Sequence, residues 1–336
     1  MGKIVLRYQC GIKNLRYYYN PKYARNTSII FLMIGGEGPE DGKWAAKPDI
    51  QYLQWAQEFG AHVFDLEHRF FGSLSAWFRS KYPEWTVGAV ASSAPLNLKL
   101  DFYEYAVAVE EDLNITNVNC AGFVAQAFDQ MQNLTGSMDG LIELNKYFKY
   151  NGITGDPTTD LTVFPNSYTD MINSVNTGNL TVLGEDNAAA RGWMWLCCNE
   201  VGFMQTTEGG IFGSTVPLEY YIKMCTDMFD WSVTRMYTVS RNAAAQAYYG
   251  GCDNYMATNV VLPNGSLDPW HKLGCYENTT ETMFPILINR YDPATDGPTD
   301  KPTDKPETGG SGFPITVTFF TSFLGGKKIK DPNKHP

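Results

Sequence analysis

A serine hydrolase needs three side chains: a serine on a strained strand-to-helix elbow, a histidine to take its proton, and a carboxylate to orient that histidine. The sequence holds four histidines, His62, His68, His271 and His335, and a candidate carboxylate, Asp268, in the run Asn264-Gly265-Ser266-Leu267-Asp268-Pro269-Trp270. No Gly-x-Ser-x-Gly elbow occurs anywhere in the 336 residues. Ser73 and Ser75 stand at the start of a helical pattern, and Ser92 and Ser93 lie in a small-residue run that reads as packing in a strand. His271 is three residues from Asp268 on one turn, too near for its ring also to reach a serine on another loop. His335 is penultimate; His62 and His68 flank a strand, where His68 with Arg69 reads as a brace for the sheet end. Asp268 taken by itself is equally a turn residue before proline.

The elements that must position these groups are legible as a strand–helix–strand unit. Residues 28–36 form a continuous apolar run ending in glycines, and residues 61–68 form a second strand. Between them Ile50, Leu53, Ala56 and Phe59 recur at helical spacing. A helix over 73–82, a small-residue strand over 87–94 and short strands over 260–263 and 284–289 complete an α/β reading, with a mainly parallel sheet. From 101 to about 249 the periodicity is helical throughout, as in Phe102, Tyr105, Ala106, Val109 and Leu113. The expected division is a core of residues 16–97 and 250–290, a helical insertion over 98–249, and a Pro/Thr/Asp/Gly-rich tail over 291–336 expected to lack structure.

A net charge of −10 argues against a nucleic-acid partner, which wants a basic face. No run of 18 apolar residues offers a membrane span, and the first residues are too polar for a secretory signal. The seven cysteines show no C-x-x-C spacing, so neither a metal nor a redox centre is expected, and no cofactor. Six Asn-x-Ser/Thr sequons, at Asn26, Asn114, Asn133, Asn179, Asn264 and Asn278, together with the cysteines, point to an oxidising secretory-route compartment. That expectation conflicts with the missing signal, so the chain is read as lacking its N-terminus.

Seven phrases carry a family resemblance. Arg16-Tyr17-Tyr18-Tyr19-Asn20, Ile34-Gly35-Gly36-Glu37-Gly38-Pro39-Glu40 and Asp65-Leu66-Glu67-His68-Arg69-Phe70-Phe71-Gly72 come first. Then follow Ala76-Trp77-Phe78-Arg79-Ser80-Lys81-Tyr82-Pro83, Gly88-Ala89-Val90-Ala91-Ser92-Ser93-Ala94-Pro95, Cys198-Asn199-Glu200-Val201-Gly202-Phe203 and the run over 264–270. In this order they resemble the S28 serine peptidases, the lysosomal Pro-X carboxypeptidase and dipeptidyl peptidase group.

The resemblance implies an α/β-hydrolase core with a helical cap and exopeptidase action on peptides after proline or alanine. It further implies lysosomal or extracellular residence and leaves a homodimer open. It gives Asp268 the triad aspartate position. It sets Gly36 and Glu37 where an oxyanion-hole N–H is supplied, although glycines there equally serve a tight turn. Glu200 becomes either a cleft-lining group or a helix residue paired with Arg191 or Arg241. The family's elbow phrase, Gly-Gly-Ser-Tyr-x-Gly, would stand directly before the helix at Ser73; here Gly72 joins Ser73 without it.

The family's histidine phrase is also missing after residues 284–289. With the nucleophile-elbow strand gone, the strand over 87–94 is expected to close up beside the one over 28–36. One of Cys197 and Cys198 is expected to be bonded, and only Cys198 fits the family phrase; Cys10 falls outside it. Three readings stay open: an incompetent peptidase, a non-catalytic glycoprotein that binds peptides, and a misassembled gene whose intact product is active, the last being preferred.

Overall fold

The computed structural model describes residues 2–6, 15–25, 29–34, 42–66, 72–117, 119–147, 168–289 and 316–321. The chain divides into two compact units, residues 1–97 with 247–336, and residues 98–246.

The first unit is built on an eight-stranded sheet. Its strands are β1 (Gly2–Leu6), β2 (Leu15–Asn20), β3 (Ile29–Ile34), β4 (His62–Leu66), β5 (Gly88–Ala91), β6 (Val260–Gly265), β7 (Met283–Ile288) and β8 (Thr316–Thr321). They run in the order β1-β2-β4-β3-β8-β5-β6-β7. Pairing is parallel for β3 with β4 and along β5-β6-β7, and antiparallel where β1, β2 and β8 join. The sheet is therefore mixed: of the three strands that sequence periodicity did not mark, β2 and β8 run against the other six, and β1 returns to their direction.

β3 buries Phe31, Met33 and Ile34, and the Gln51–Phe59 helix returns Tyr52, Leu53 and Ala56 to the cluster that holds Phe31 and Met33. The Tyr52 hydroxyl lies 3.0 Å from the Phe31 carbonyl oxygen and 2.9 Å from that of Phe64, so one buried phenol ties the helix to both β3 and β4. Burial, with Asp65 nearby, raises the Tyr52 pKa well above its ordinary value, which keeps this donor protonated. The helix stops at Gly60, whose left-handed φ of 65° lets its N–H reach the Ala56 carbonyl. This is the strand–helix–strand unit read from the sequence.

Two expectations fail at the centre of the sheet. β5 does not close against β3; β8 lies between them, antiparallel to both. The strand Thr316–Thr321 also falls within the tail expected to be structureless. The physical reason is the same for both. Two central strands facing each other across a gap leave buried N–H and C=O groups unmade, at about 1–3 kcal/mol each, and a hexapeptide of β-branched and aromatic residues satisfies both rows.

The second unit is helical: Glu104–Thr116, Cys120–Thr135, Met138–Tyr147, Tyr168–Val175, Leu180–Leu196 and Leu218–Met228, with most of Arg235–Tyr249. The Cys198–Cys225 disulfide joins the end of the long helical stretch to the Leu218–Met228 helix, and Cys197 beside it is a buried free thiol. Adjacent cysteines point in different directions along a helical turn, so the pairing of Cys198 alone matches the expectation. A second disulfide, Cys252–Cys275, closes within the first unit. Cys10 lies outside the described residues. Among the described residues no helix is long and apolar enough to cross a membrane.

Candidate functional site

Asp268 follows β6 at the C-terminal ends of the parallel strands β5, β6 and β7, the sheet edge where open α/β folds bind ligands. Its N–H donates to the Gly265 carbonyl at 3.1 Å, and its carboxylate accepts from the Trp270 N–H at 3.1 Å. It thereby caps the short 3₁₀ turn Pro269–Leu273, with Pro269 in the first position where no N–H is needed. The cap engages Oδ1 of a half-buried carboxylate. Tyr276 feels that charge: burial first, then Asp268, pushes its phenol up to about 12 from an ordinary 10.0. The Tyr276 hydroxyl donates to the His271 carbonyl at 2.6 Å, closing the turn from below.

His271 is near Asp268 but does not meet its carboxylate. The ring Nδ1 lies 2.7 Å from the Asp268 backbone oxygen. A carbonyl only accepts, so Nδ1 carries the proton and Nε2 the lone pair. A triad would set Nδ1–H on the carboxylate instead. Among the described residues no hydrogen bond joins a histidine ring to a serine hydroxyl. Ser73 is fully buried and donates its hydroxyl to the Pro95 carbonyl at 2.8 Å; Ser75 is buried as well.

Ser93 follows β5 with a φ of 49°, a left-handed conformation uncommon for serine, and its N–H donates to the Pro263 carbonyl at 2.9 Å. This turn aligns the ends of β5 and β6 and does not lead into a helix, so it is no elbow. His62 begins β4, at the end of the strand opposite the C-terminal edge. Its ring is 2.7 Å from the Tyr19 hydroxyl and stacks on that tyrosine, and burial lowers its pKa. It braces β2 against β4. His68, His335, Gly36 and Glu37 lie outside the described residues.

Glu200 sits in the second unit on a π-helical turn, Cys197–Val201, inserted after the Leu180–Leu196 helix. Such turns interrupt the regular ladder and recur at functional sites. The next two residues, Gly202 and Phe203, both have left-handed φ, 74° and 57°. The Phe203 N–H donates to the Lys99 carbonyl at 2.7 Å and that of Met204 to Leu100 at 3.0 Å, which fixes the turn's exit. The pairing with an arginine weighed from sequence is not formed. The Arg241 Nε donates to the Asn199 carbonyl at 3.1 Å, and an Arg191 terminal nitrogen donates to the carbonyls of Val175 and Met228. Glu200 is half-buried, and among the described residues its carboxylate makes no ion pair. Adjacent cysteines before it gave no hint of a π turn. Tyr276 was missed too, since a lone tyrosine after a cysteine has no motif to mark it.

No group of three or more His, Cys, Asp or Glu side chains that would hold a metal ion occurs among the described residues. The profile of the family "Serine carboxypeptidase S28" matches this chain in three pieces, residues 11–73, 72–177 and 157–308. A Caenorhabditis elegans protein with a provisional serine protease name is 44% identical over 401 residues, covering 82% of this chain and 74% of its own. The thymus-specific serine protease of Mus musculus is 23% identical over 380 residues, covering 77% of this chain and 73% of its own. The lysosomal Pro-X carboxypeptidase of Bos taurus is 24% identical over 287 residues, covering 68% and 56%. The α/β-hydrolase-like architecture goes with this family, and the chain belongs to the serine carboxypeptidase S28 family.

Proposed function

We propose that the chain carries the scaffold of a serine exopeptidase acting on peptides near proline, and that in the form written it does not hydrolyse them. The observation that carries this is the seam at Gly72–Ser73. β4 ends at Leu66, the next helix starts at Ser73, and no Gly-x-Ser-x-Gly stands in the six residues between them or elsewhere. The family profile breaks at the same place, between a piece ending at residue 73 and one starting at 72. With Ser73 buried on a carbonyl and His271 turned to a backbone oxygen, no triad forms around Asp268 among the described residues. Losing triad members leaves only about 10³–10⁴-fold catalysis over water, from binding and oxyanion contacts. In this reading the elbow strand is missing, and Asp268 keeps the aspartate position while Gly36 and Glu37 keep the oxyanion position.

In this reading the loss is internal. The nematode alignment spans 401 positions but takes in 82% of a 336-residue chain, so more than a hundred of its positions face gaps here. An intact product of the same gene, with its elbow restored, is the favoured source of activity. A second reading, a non-catalytic peptide-binding glycoprotein, draws support from two features. β8 pairs with both central strands, which removes the cost of an open gap, and Glu200 presents a carboxylate without an ion pair on a strained turn. Two disulfides and relatives named as lysosomal favour an oxidising, secretory-route compartment for it.

Incubation with a fluorophosphonate probe and with Pro-X peptides tests the claim. We expect no labelling and no cleavage, and stoichiometric labelling of Ser73 or Ser75 would overturn it. Sequencing the transcript across the Gly72–Ser73 junction separates the two readings: a longer message with a Gly-x-Ser-x-Gly elbow sinks the non-catalytic one.

A further inference from the structure

We infer that the gap between β3 and β5 is a strand-acceptor site, filled here by the chain's own Thr316–Thr321 and open to the same segment from a second copy of the chain. Its two walls run in the same direction, since each is antiparallel to β8. One wall pairs from Ile29↔Thr321 to Met33↔Val317, the other from Gly88↔Phe319 to Ala91↔Thr316. The walls are dry, with Phe31, Met33, Ala89 and Ala91 all buried. Their inward N–H and C=O groups have no water to turn to, so the gap demands an extended occupant along its length. Recognition through the backbone is what strand addition uses, and it does not depend on which molecule supplies the strand.

The connection does not confine the strand to its own sheet. β7 ends at Ile288 and β8 begins at Thr316, leaving 27 residues between them. At about 3.3 Å per residue these reach roughly 90 Å. The two strands are three spacings apart in the sheet order, only about 14 Å at ~4.8 Å each. A connection several times longer than its span lets the strand reach a neighbouring copy, while the same tether keeps it concentrated near its own gap, so exchange between copies is expected at high protein concentration. Exchange transfers backbone hydrogen bonds and makes or breaks no covalent bond.

The test cuts the connection after folding, so that no variant has to fold without its tail. A site-specific protease sequence replaces residues 298–303 in the full chain, and the purified protein is cleaved and run on size exclusion. The fragment carrying Thr316–Thr321 is expected to stay with the body under native conditions and to leave in denaturant. Native release overturns the acceptor site. An isotope-labelled peptide of residues 313–324 in excess is then expected to replace the resident fragment. The same peptide with Thr318→Pro, which lacks the N–H at the centre of the strand, is expected to be lost from the complex. Failure of the first peptide to enter, or equal entry of both, overturns backbone recognition. Finally, two uncut chains with different tags, refolded together at high concentration, are expected to give mixed dimers. Monomers alone would overturn the exchange between copies. None of these readouts involves hydrolysis, so they stand or fall apart from the proposed activity.

Discussion

The carboxylate of Asp268 holds the Trp270 N–H, and a cap of this type contributes about 1 kcal/mol. Asparagine supplies the same acceptor without the charge; alanine supplies neither. We therefore expect Asp268→Ala to lower the thermal midpoint of the unit by about 2–4 °C and Asp268→Asn to leave it nearly unchanged. Tyr276 gives a second readout. Its phenol stays protonated up to about 12 in the folded chain because burial and the Asp268 charge oppose the phenolate. The unfolded chain loses that proton near 10.0, so the contribution to stability is complete below pH 10 and is lost as pH rises from 10 to 12. Removing the charge in Asp268→Asn should lower the Tyr276 titration midpoint, read by ultraviolet difference absorbance. A midpoint unmoved by the substitution would place the carboxylate elsewhere. Sequons divide at this scale as well. Asn114, Asn133, Asn179 and Asn278 are exposed, whereas Asn264 is 1% exposed beneath the Asp268 turn. Glycopeptide mapping of secreted chain should find sugar at exposed sites and none at Asn264. A glycan at Asn264 would mean that this turn is open when the sugar is added.

Between residue and molecule stands the π turn that carries Glu200. A Cβ at Gly202 would lie 2.6 Å from the Leu100 Cα and from the Lys99 carbonyl oxygen, all of it backbone that cannot swing away. Its φ of 74° adds strain for any other residue. Gly202→Ala should cost about 2 kcal/mol or more, read as a fall in the denaturant midpoint of the helical unit. Gly192, inside the Leu180–Leu196 helix with open space around it, makes the control: Gly192→Ala should stabilise by about 0.5–1 kcal/mol. Equal effects would show that helix propensity alone decides at both sites. Sequence periodicity exposed β3, β4 and β5 within a few residues of their ends, because buried parallel strands are short apolar runs between glycines and turns. It did not expose β8. Thr-Val-Thr-Phe-Phe-Thr is a strong strand former, but it follows some twenty residues of Pro, Thr, Asp and Gly whose composition spoke for the whole tail. Pairing partners decide such a segment, and they lie about 230 residues away in β5 and about 290 away in β3. The Asp268 turn was legible for the opposite reason: Asp-Pro-Trp is a local cap, complete within three residues.

At the scale of the molecule, charge and exposed apolar surface act against each other. The chain carries a net −10 at pH 7, and this falls to zero near pH 4.9. Repulsion among copies is therefore strong at neutral pH and vanishes in an acidic compartment of the kind the lysosomal relatives are named for. What remains then is apolar. Along the edge strand β7 the side chains of Phe284, Ile286, Leu287 and Ile288 stand exposed, and in the helical unit Trp231 and Met236 are about four-fifths exposed. Pro285 protects the β7 edge against further strand pairing, because it offers no N–H; it does nothing to cover the face its neighbours present. Lowering the pH from 7 to 5 at constant salt should thus raise the weight-average mass in light scattering, steeply as net charge disappears. Raising the salt at pH 7 should have the same sign and a smaller effect, since screening beyond about 8 Å weakens the repulsion without removing the charges. Replacing Ile286 and Ile288 with lysine should blunt the response at pH 5 through both terms at once, fewer apolar contacts and a higher isoelectric point. Replacing them with threonine leaves the charge alone and isolates the contact term. A chain that stays monodisperse from pH 7 to 5 would show that these side chains drive no association when the charge is gone.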